Sequence, residues 1–405
     1  MARIAEQRTG NPSDKAGRRR VVILGSTGSI GRQALDVVRR LPDQFEVVGL
    51  AAGSNVELLR RQVAEFRPRC VSTVAPAGLS ANGTWLPLAE LAALPEADLV
   101  LVATVGIAGL APTLAAIRAG KTVALANKEV LVVAGEVVTA EARSRKVPLL
   151  PVDSEHSAIW QCIRGEAALG EWDATSSIAR LILTASGGAF RDYSTEQLAR
   201  VEPAEALCHP TWVMGPKVTV DAATLLNKGF EIIEAHWLFG LPYERIDVLL
   251  HRESVVHSLV EFVDGSSKAQ LSQPDMRLPI QYALSYPARF PSPVPPPSLS
   301  SLGCLTFRPV DEERYPCLKL ARHAALLGGT YPAALSGADE AAVALFLSGA
   351  IGFLDIARLL EAVLAEHEPT AHPNLEELVQ ANDYASVRCR ELAGRAQAGL
   401  DRGDR

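Results

Sequence analysis

The segment from Val21 to Gly31 constrains this chain more than any other. Four apolar residues, Val21-Val22-Ile23-Leu24, run directly into Gly25-Ser26-Thr27-Gly28-Ser29-Ile30-Gly31. A continuous apolar run is the signature of a strand buried on both faces. Behind the glycines, Ala34, Leu35, Val37, Val38 and Leu41 repeat with helical spacing. Strand, glycine turn and helix make up the phosphate-binding unit of dinucleotide folds. Glycines permit the tight turn, and the first N–H groups of the helix face a pyrophosphate. The spacing is G-x-x-G-x-x-G rather than G-x-G-x-x-G, so a ligand-free turn is the competing reading of this segment alone.

The same alternation continues. Residues 45–50 read as a second strand, ending near Gly53-Ser54-Asn55. A fold that selects NAD places an acid here for the ribose 2′-hydroxyl; none is present, and Ser54 can donate to a 2′-phosphate, which favours NADPH. Leu99–Val102 precedes a helix, Thr122–Leu125 precedes Asn127-Lys128-Glu129, and residues 147–152 end at an acidic cluster. The stretch 99–117 is uncharged, but Gly106, Gly109 and Pro112 interrupt it, so strand–turn–helix explains it better than a membrane span. These patterns predict an N-terminal, doubly wound, Rossmann-like parallel sheet over residues 20–150, with ligands at the carboxyl ends of its strands. Lys128 then becomes a candidate substrate contact, and Asn127 and Glu129 candidate cofactor contacts. A solvated helix-opening cluster is the alternative for that triplet.

Two further segments bring acids together. In an extended Asp153-Ser154-Glu155-His156, both carboxylates point to one side and His156 to the other. Oxygen-only ligation suits Mg²⁺ or Mn²⁺, whereas zinc recruits His or Cys. Residues 218–239 read as a strand remnant followed by a long helix. On that helix Asn227, Lys228 and Glu231 span an arc of roughly 100° and can face one pocket. Glu231 would complete a three-carboxylate site with Asp153 and Glu155. Between these segments, Ser186-Gly187-Gly188 follows an apolar strand and resembles a phosphate-cradling turn. Residues 206–216, with two prolines, Gly215, His209 and Trp212, read as a lid loop or as a structural loop around a buried Trp.

The net charge of −6 argues against a nucleic-acid partner. Six cysteines, with no C-x-x-C pair, read as free thiols of a cytoplasmic protein. Residues 1–19 are polar and lack a signal-peptide core, so they are expected to be a disordered leader. Residues 151–286 are expected to form a central α+β catalytic and dimerisation domain, with strands at 179–183, 247–251, 255–262 and 267–271. Residues 287–311 are a proline-rich linker. Residues 312–400 carry four helical stretches, beginning at 315, 338, 353 and 375, and are expected to form a C-terminal α-helical bundle.

Taken together, GSTGSIG (25–31), LANKE (125–129), LLPVDSEHSAIWQ (149–161), HPTWVMGPKVTVD (209–221), NKGFEIIEAHWLF (227–239), SVVHSLVEF (254–262) and QPDMRLPI (273–280) resemble the 1-deoxy-D-xylulose 5-phosphate reductoisomerase family. The resemblance implies an NADPH- and metal-dependent enzyme that isomerises and reduces a small phosphorylated ketose as a homodimer. Asp153, Glu155 and Glu231 would hold Mg²⁺, Mn²⁺ or Co²⁺. Lys128, Ser154, His209, Asn227 and Lys228 would contact substrate, Ser186 its phosphate, and Trp212 would close over it. Gly25, Ser26, Thr27, Gly28, Ser29, Ile30, Gly53, Ser54, Asn55, Asn127, Glu129 and Gly215 would line the NADPH site, with Met276 near the nicotinamide.

The chain also departs from that pattern. Ala222 stands where the family usually has a phosphate-binding Ser, with Thr224 a candidate substitute. Ala189 replaces a Pro, Val130 a small polar residue, and Leu335-Ser336-Gly337-Ala338-Asp339-Glu340 a Leu-Asn-Ala-Ala-Asn-Glu pattern. An NADPH oxidoreductase with an altered substrate is the alternative function.

Overall fold

The computed structural model describes residues 17–74, 83–166, 176–212 and 214–403. The first half alternates strand and helix: β1 (Arg19–Leu24), α1 (Ser29–Arg40), β2 (Phe45–Ala52), α2 (Val56–Phe66), β3 (Cys70–Thr73), β4 (Thr84–Trp85), α3 (Leu88–Ala92), β5 (Leu99–Val102), α4 (Leu110–Arg118), β6 (Thr122–Leu125), α5 (Glu129–Arg145) and β7 (Leu149–Pro151). The strands form one parallel sheet in the order β4-β3-β2-β1-β5-β6-β7. Successive residues of a strand point to opposite faces, and here both faces are covered. Val22, Leu24, Val100 and Val102 enter one core, while Val21, Ile23, Leu99 and Leu101 enter the other. Each such side chain, fully buried, contributes about 1.5–3 kcal/mol. The order in which strands are added reverses between β1 and β5, which opens the crevice where ligands of such sheets bind.

The central part comprises α6 (Ser154–Ile163), β8 (Ile178–Ala185), α7 (Thr195–Leu198), α8 (Pro203–Ala206), α9 (Pro216–Thr224), α10 (Leu226–Phe239), β9 (Ile246–Leu250), β10 (Val256–Phe262), β11 (Ser267–Leu271) and α11 (Arg277–Ser285). Its sheet runs β11-β10-β8-β9-β12, the last strand being Arg308–Pro309, and is mixed in direction. The strand remnant expected after residue 218 is instead the helix α9. Pro216 fits its first turn, and Leu225, at φ 58°, breaks it from α10. Residues of α11 return to the first domain, where Ile280, Ala283 and Leu284 share a core with Ala34 and Leu35 of α1.

The last part comprises α12 (Leu299–Leu302), β12 (Arg308–Pro309), α13 (Pro316–Leu327), α14 (Tyr331–Leu347), α15 (Phe353–Glu366) and α16 (Leu375–Gly403). The proline-rich linker contains regular structure, since β12 pairs with β9 at the sheet edge, where a strand tolerates proline. Helix α14 begins seven residues before the expected 338, because Pro332 occupies its first turn. Val220 of α9 and Phe230 of α10 share a third core with Cys317, Ala321, Leu335 and Phe346, so the bundle supports the two helices that carry site residues. The Gly337 departure has a packing cause: a Cβ there would lie 1.9 Å from the Asn382 carbonyl oxygen, so glycine permits close approach of α14 and α16.

Residues 1–16 of the expected leader lie outside the described residues, but Arg19 opens β1, and its guanidinium donates to the Leu284 and Tyr286 carbonyls at 2.7 and 3.1 Å. No helix among the described residues is long and apolar enough to cross a membrane.

Candidate active site

The carboxyl ends of β1, β5, β6 and β7 open into a cavity of about 490 Å³. The central sheet, the 206–216 loop and α14 close its other sides.

The turn after β1 is built to approach a ligand closely. Gly25 has φ +84°, and a Cβ on Gly31 would fall 2.2 Å from the Gly25 carbonyl oxygen. Both glycines are therefore required for α1 to start where it does. No side chain caps α1 at Gly28 and no acid occupies its first turn, which leaves its leading N–H groups to an anion. Gly28, Ser29 and Ile30 line the cavity. Ser26 does not face it. Its hydroxyl donates to Gln62 Oε1 at 2.7 Å, and Gln62 donates back to the Ser26 carbonyl at 2.8 Å, a buried lock on the turn. Gly53, Ser54 and Asn55 lie exposed beyond the end of β2, and Asn55 caps α2 through the Leu58 N–H. Asn127 lines the cavity, and its side chain also ties the turn after β5 to α5. It donates to the Thr104 and Gly106 carbonyls at 2.8 and 2.9 Å and accepts from Val130 N–H. Glu129 and Met276 line the cavity, as does Gly215.

The acids converge as expected, by a different local geometry. Asp153 is not followed by extended chain; it is the N-cap of α6, and Glu155 sits in the first helical turn. Ligand atoms of Asp153, Glu155 and Glu231 lie within 4.8 Å of one another. Two ammonium groups bind them. Lys128 lies 2.9 Å from Asp153 and 3.5 Å from Glu231, and Lys228 lies 3.0 Å from Glu155 and 2.5 Å from Glu231. Asn227 donates to Glu231 at 2.5 Å and accepts from Lys128. The Ser154 hydroxyl donates to Glu155 Oε2 at 2.5 Å. Burial acts to raise Asp153, but Lys128, His156 and Glu155 together outweigh it and hold that carboxyl well below the usual range. Burial, with Glu155 nearby, pushes Glu231 up to about 8. The donor set is all oxygen, and its three carboxylates outnumber the two ammonium groups, which suits a hard dication.

Behind this cluster His156 is fully buried. Its Nε2 contacts the Glu231 carbonyl oxygen at 2.9 Å, and its Nδ1 lies 3.6 Å from Glu234. His156 and Glu234 also form a second ligand group with Asp153, so the histidine braces α10 from behind the acids.

The Ser186 turn and the loop also line the cavity. Backbone N–H groups of Thr211 and Trp212 donate to His209 Nδ1 at 3.2 and 2.9 Å, so that nitrogen carries no proton. The proton is then on Nε2, which donates to Ser186 Oγ at 3.0 Å. Ser186 Oγ also accepts from Gly188 N–H at 3.2 Å, which frees its own O–H to donate to an anion. Burial, with Arg191 nearby, lowers His209 from 6.5 to about 4. The unfolded chain takes up this proton before the folded one, so the loop's stability falls as pH drops from about 6.5 toward 4. We expect the His209 ring resonances to titrate with a midpoint near 4 by NMR; a midpoint above 6 would contradict the arrangement. Trp212 stands edge-on to His257, with ring centroids 5.8 Å apart.

Ala222 lines the cavity, and the Ser186 turn packs directly on its backbone: a Cβ at Gly188 would lie 2.5 Å from the Ala222 carbonyl oxygen. Thr224 does not substitute for the absent hydroxyl. It caps the end of α9, donating to the Asp221 carbonyl and accepting from Leu226 N–H. Ser254, held at φ 51°, brings a hydroxyl to the cavity that sequence reading missed; no local pattern marks it. Met214, Lys217, Ser336 and Glu340 were also missed, and they come from the loop end, α9 and α14.

A dinucleotide sheet opening onto an oxygen-only cation cluster defines the class: metal-assisted oxidoreductases. Three family models cover most of the chain. "1-deoxy-D-xylulose 5-phosphate reductoisomerase" matches residues 21–135, its C-terminal domain residues 149–239, and the DXP reductoisomerase C-terminal domain residues 271–388. The 1-deoxy-D-xylulose 5-phosphate reductoisomerase of Geobacillus kaustophilus is 52% identical over 92% of this chain and 99% of its own. That of Synechococcus sp. is 52% identical over 93% and 98%. The Zymomonas mobilis reductoisomerase solved with NADPH is 40% identical with a TM-score of 0.84, covering 93% of this chain and 99% of that one. A DOX-P reductoisomerase solved with NADPH, fosmidomycin and magnesium is 39% identical with a TM-score of 0.88, covering 94% and 99%. The chain belongs to the 1-deoxy-D-xylulose 5-phosphate reductoisomerase family.

Proposed function

We propose that this chain converts 1-deoxy-D-xylulose 5-phosphate to 2-C-methyl-D-erythritol 4-phosphate, with NADPH and a divalent cation, in non-mevalonate isoprenoid precursor synthesis. The observation that carries the reading is the opening of the β1–α1 turn, the three carboxylates and the Ser186 turn into one cavity. When bound, the cation polarises two adjacent substrate oxygens and NADPH supplies a hydride.

The chain's own residues do the rest. Asp153, Glu155 and Glu231 would hold Mg²⁺, Mn²⁺ or Co²⁺, and Ser154 fixes the orientation of Glu155. Lys128 and Lys228 balance the acids and would hold substrate oxygens. Ser186, aligned by His209, would grip the phosphate together with Asn227 and Lys228. Trp212 and Met214 would exclude water from the reacting carbons. The same reading places the enzyme in the cytoplasm as a homodimer. The β11 edge of the central sheet, with Ser267, Lys268 and Ala269 exposed, supports an interface there.

Ala222 favours a second reading, an oxidoreductase for a less phosphate-dependent substrate. Product analysis separates them. With Mn²⁺, NADPH and 1-deoxy-D-xylulose 5-phosphate, the reading predicts a branched carbon skeleton by ¹³C NMR, whereas a linear reduced product would reject it. Ala222→Ser is expected to lower the KM for the phosphorylated ketose roughly tenfold or more, because a hydrogen bond to a charged group contributes about 1.5–3 kcal/mol. An unchanged KM would show that the position lies outside the phosphate's reach.

A further inference from the structure

A second charged cluster lies on the cofactor side of the cavity, apart from the metal acids. Among the described residues its ammonium is Lys217, in the first turn of α9 and two residues after Gly215 at the end of the loop. The Lys217 Nζ is buried. It lies 2.7 Å from Asp221 of its own helix, 2.6 Å from Asp339 of α14 and 3.5 Å from Glu129 at the start of α5, over the face of Phe230 at 4.9 Å. Asp221 and Asp339 are almost fully buried. Glu340, next along α14, also acts on Asp339, and the two aspartates in turn act on the Cys317 thiol of α13.

The three helices that meet at this ammonium each supply cavity wall: Glu129 from α5, Val218 from α9, and Ser336 and Glu340 from α14. Gly28 to Ile30 and Gly215 line the same cavity. Without the ammonium, three carboxylates would face one another beside a site for a ligand carrying several phosphate charges.

We propose that Lys217 is a positioning residue for NADPH: by gathering Glu129, Asp221 and Asp339 it fixes the loop's hinge against the cofactor wall and cancels the negative charge that would repel the dinucleotide. This rests on the assignment of NADPH to the cavity. Burial, together with Asp339, also pushes Asp221 up to about 8, which agrees with a cluster already short of positive charge.

The test is steady-state kinetics and NADPH titration of the full chain. Wild-type turnover and NADPH affinity come first; failure there defeats the function itself. Lys217→Met should raise the KM for NADPH ten- to fiftyfold. Its kcat at saturating NADPH should stay within threefold, with an unchanged Mn²⁺ requirement. The double variant Lys217→Met/Asp339→Asn should recover at least threefold of that KM, because one repelling charge is removed; a packing role would show no such rescue. A folded Lys217→Met with NADPH KM within twofold of wild type, or a double variant no better than the single one, would overturn the proposal. Where Lys217→Met does not fold, Asp339→Asn alone decides: an NADPH KM equal to or below wild type agrees, and a rise above threefold overturns it.

Discussion

Glu155→Gln lowers turnover by roughly 10³- to 10⁵-fold, since losing a ligand to a Lewis-acid cation removes several kcal/mol of transition-state stabilisation and each 1.36 kcal/mol is tenfold in rate. The amide has the same shape but no charge. Glu155 is one of three converging carboxylates, and the amide oxygen of Gln can still accept from Ser154 or Lys228, while Lys228 keeps its ion pair with Glu231, so the change leaves the fold intact. The β1–α1 turn and the Lys217 cluster do not contact it, and NADPH affinity should change by less than threefold. Both quantities are measurable on one preparation, as kcat at saturating Mn²⁺ and as an NADPH fluorescence titration. Turnover within tenfold of wild type would show that the carboxylates do not form the metal site.

Lys228→Met has the second large effect, on stability as well as rate. Its ammonium lies between Glu155 and Glu231, at 3.0 and 2.5 Å, and is nearly inaccessible. Removing one partner of a buried ion pair costs about 3–5 kcal/mol. A dication bound by the same carboxylates can replace the lost ammonium, so the loss should appear in chelator and largely disappear with Mn²⁺. The sign with pH follows from Glu231. Its carboxyl is raised to about 8, so it stays protonated in the folded chain where the unfolded chain has already lost its proton, and stability falls as pH rises through that value. The penalty in the variant is therefore greatest above about pH 8. Thermal unfolding midpoints with chelator and with Mn²⁺, at pH 7 and pH 9, measure it. Equal losses with and without the cation would mean that Lys228 does not stand in for one.

Much of this was legible before any coordinates. Strands β5 and β6 fall where their apolar runs do, because a strand buried on both faces leaves no polar residue to blur its ends. Asp153, Glu155 and Glu231 were legible because carboxylates have few reasons to converge other than a cation. Helix α9 was not. Val218, Thr219 and Val220 are β-branched, and buried residues from Thr219 to Thr224 surround the helix, so no amphipathic stripe announces it. Asn127 was legible as a residue at a strand end but not as one whose amide donates to the Thr104 and Gly106 carbonyls. Lys217 and Asp339 meet only through tertiary packing of α9 on α14, which no local pattern encodes. The Leu335 to Glu340 departure acquires sense the same way: Gly337 admits α16, Ser336 faces the cavity and Asp339 meets Lys217.

The most direct test of the central claim is NADPH oxidation, followed by absorbance, with 1-deoxy-D-xylulose 5-phosphate in the presence of Mn²⁺ or Mg²⁺ and again with excess chelator. Consumption that requires the cation and stops with chelator is the predicted result. No consumption in either condition, from folded protein that binds NADPH, would contradict it.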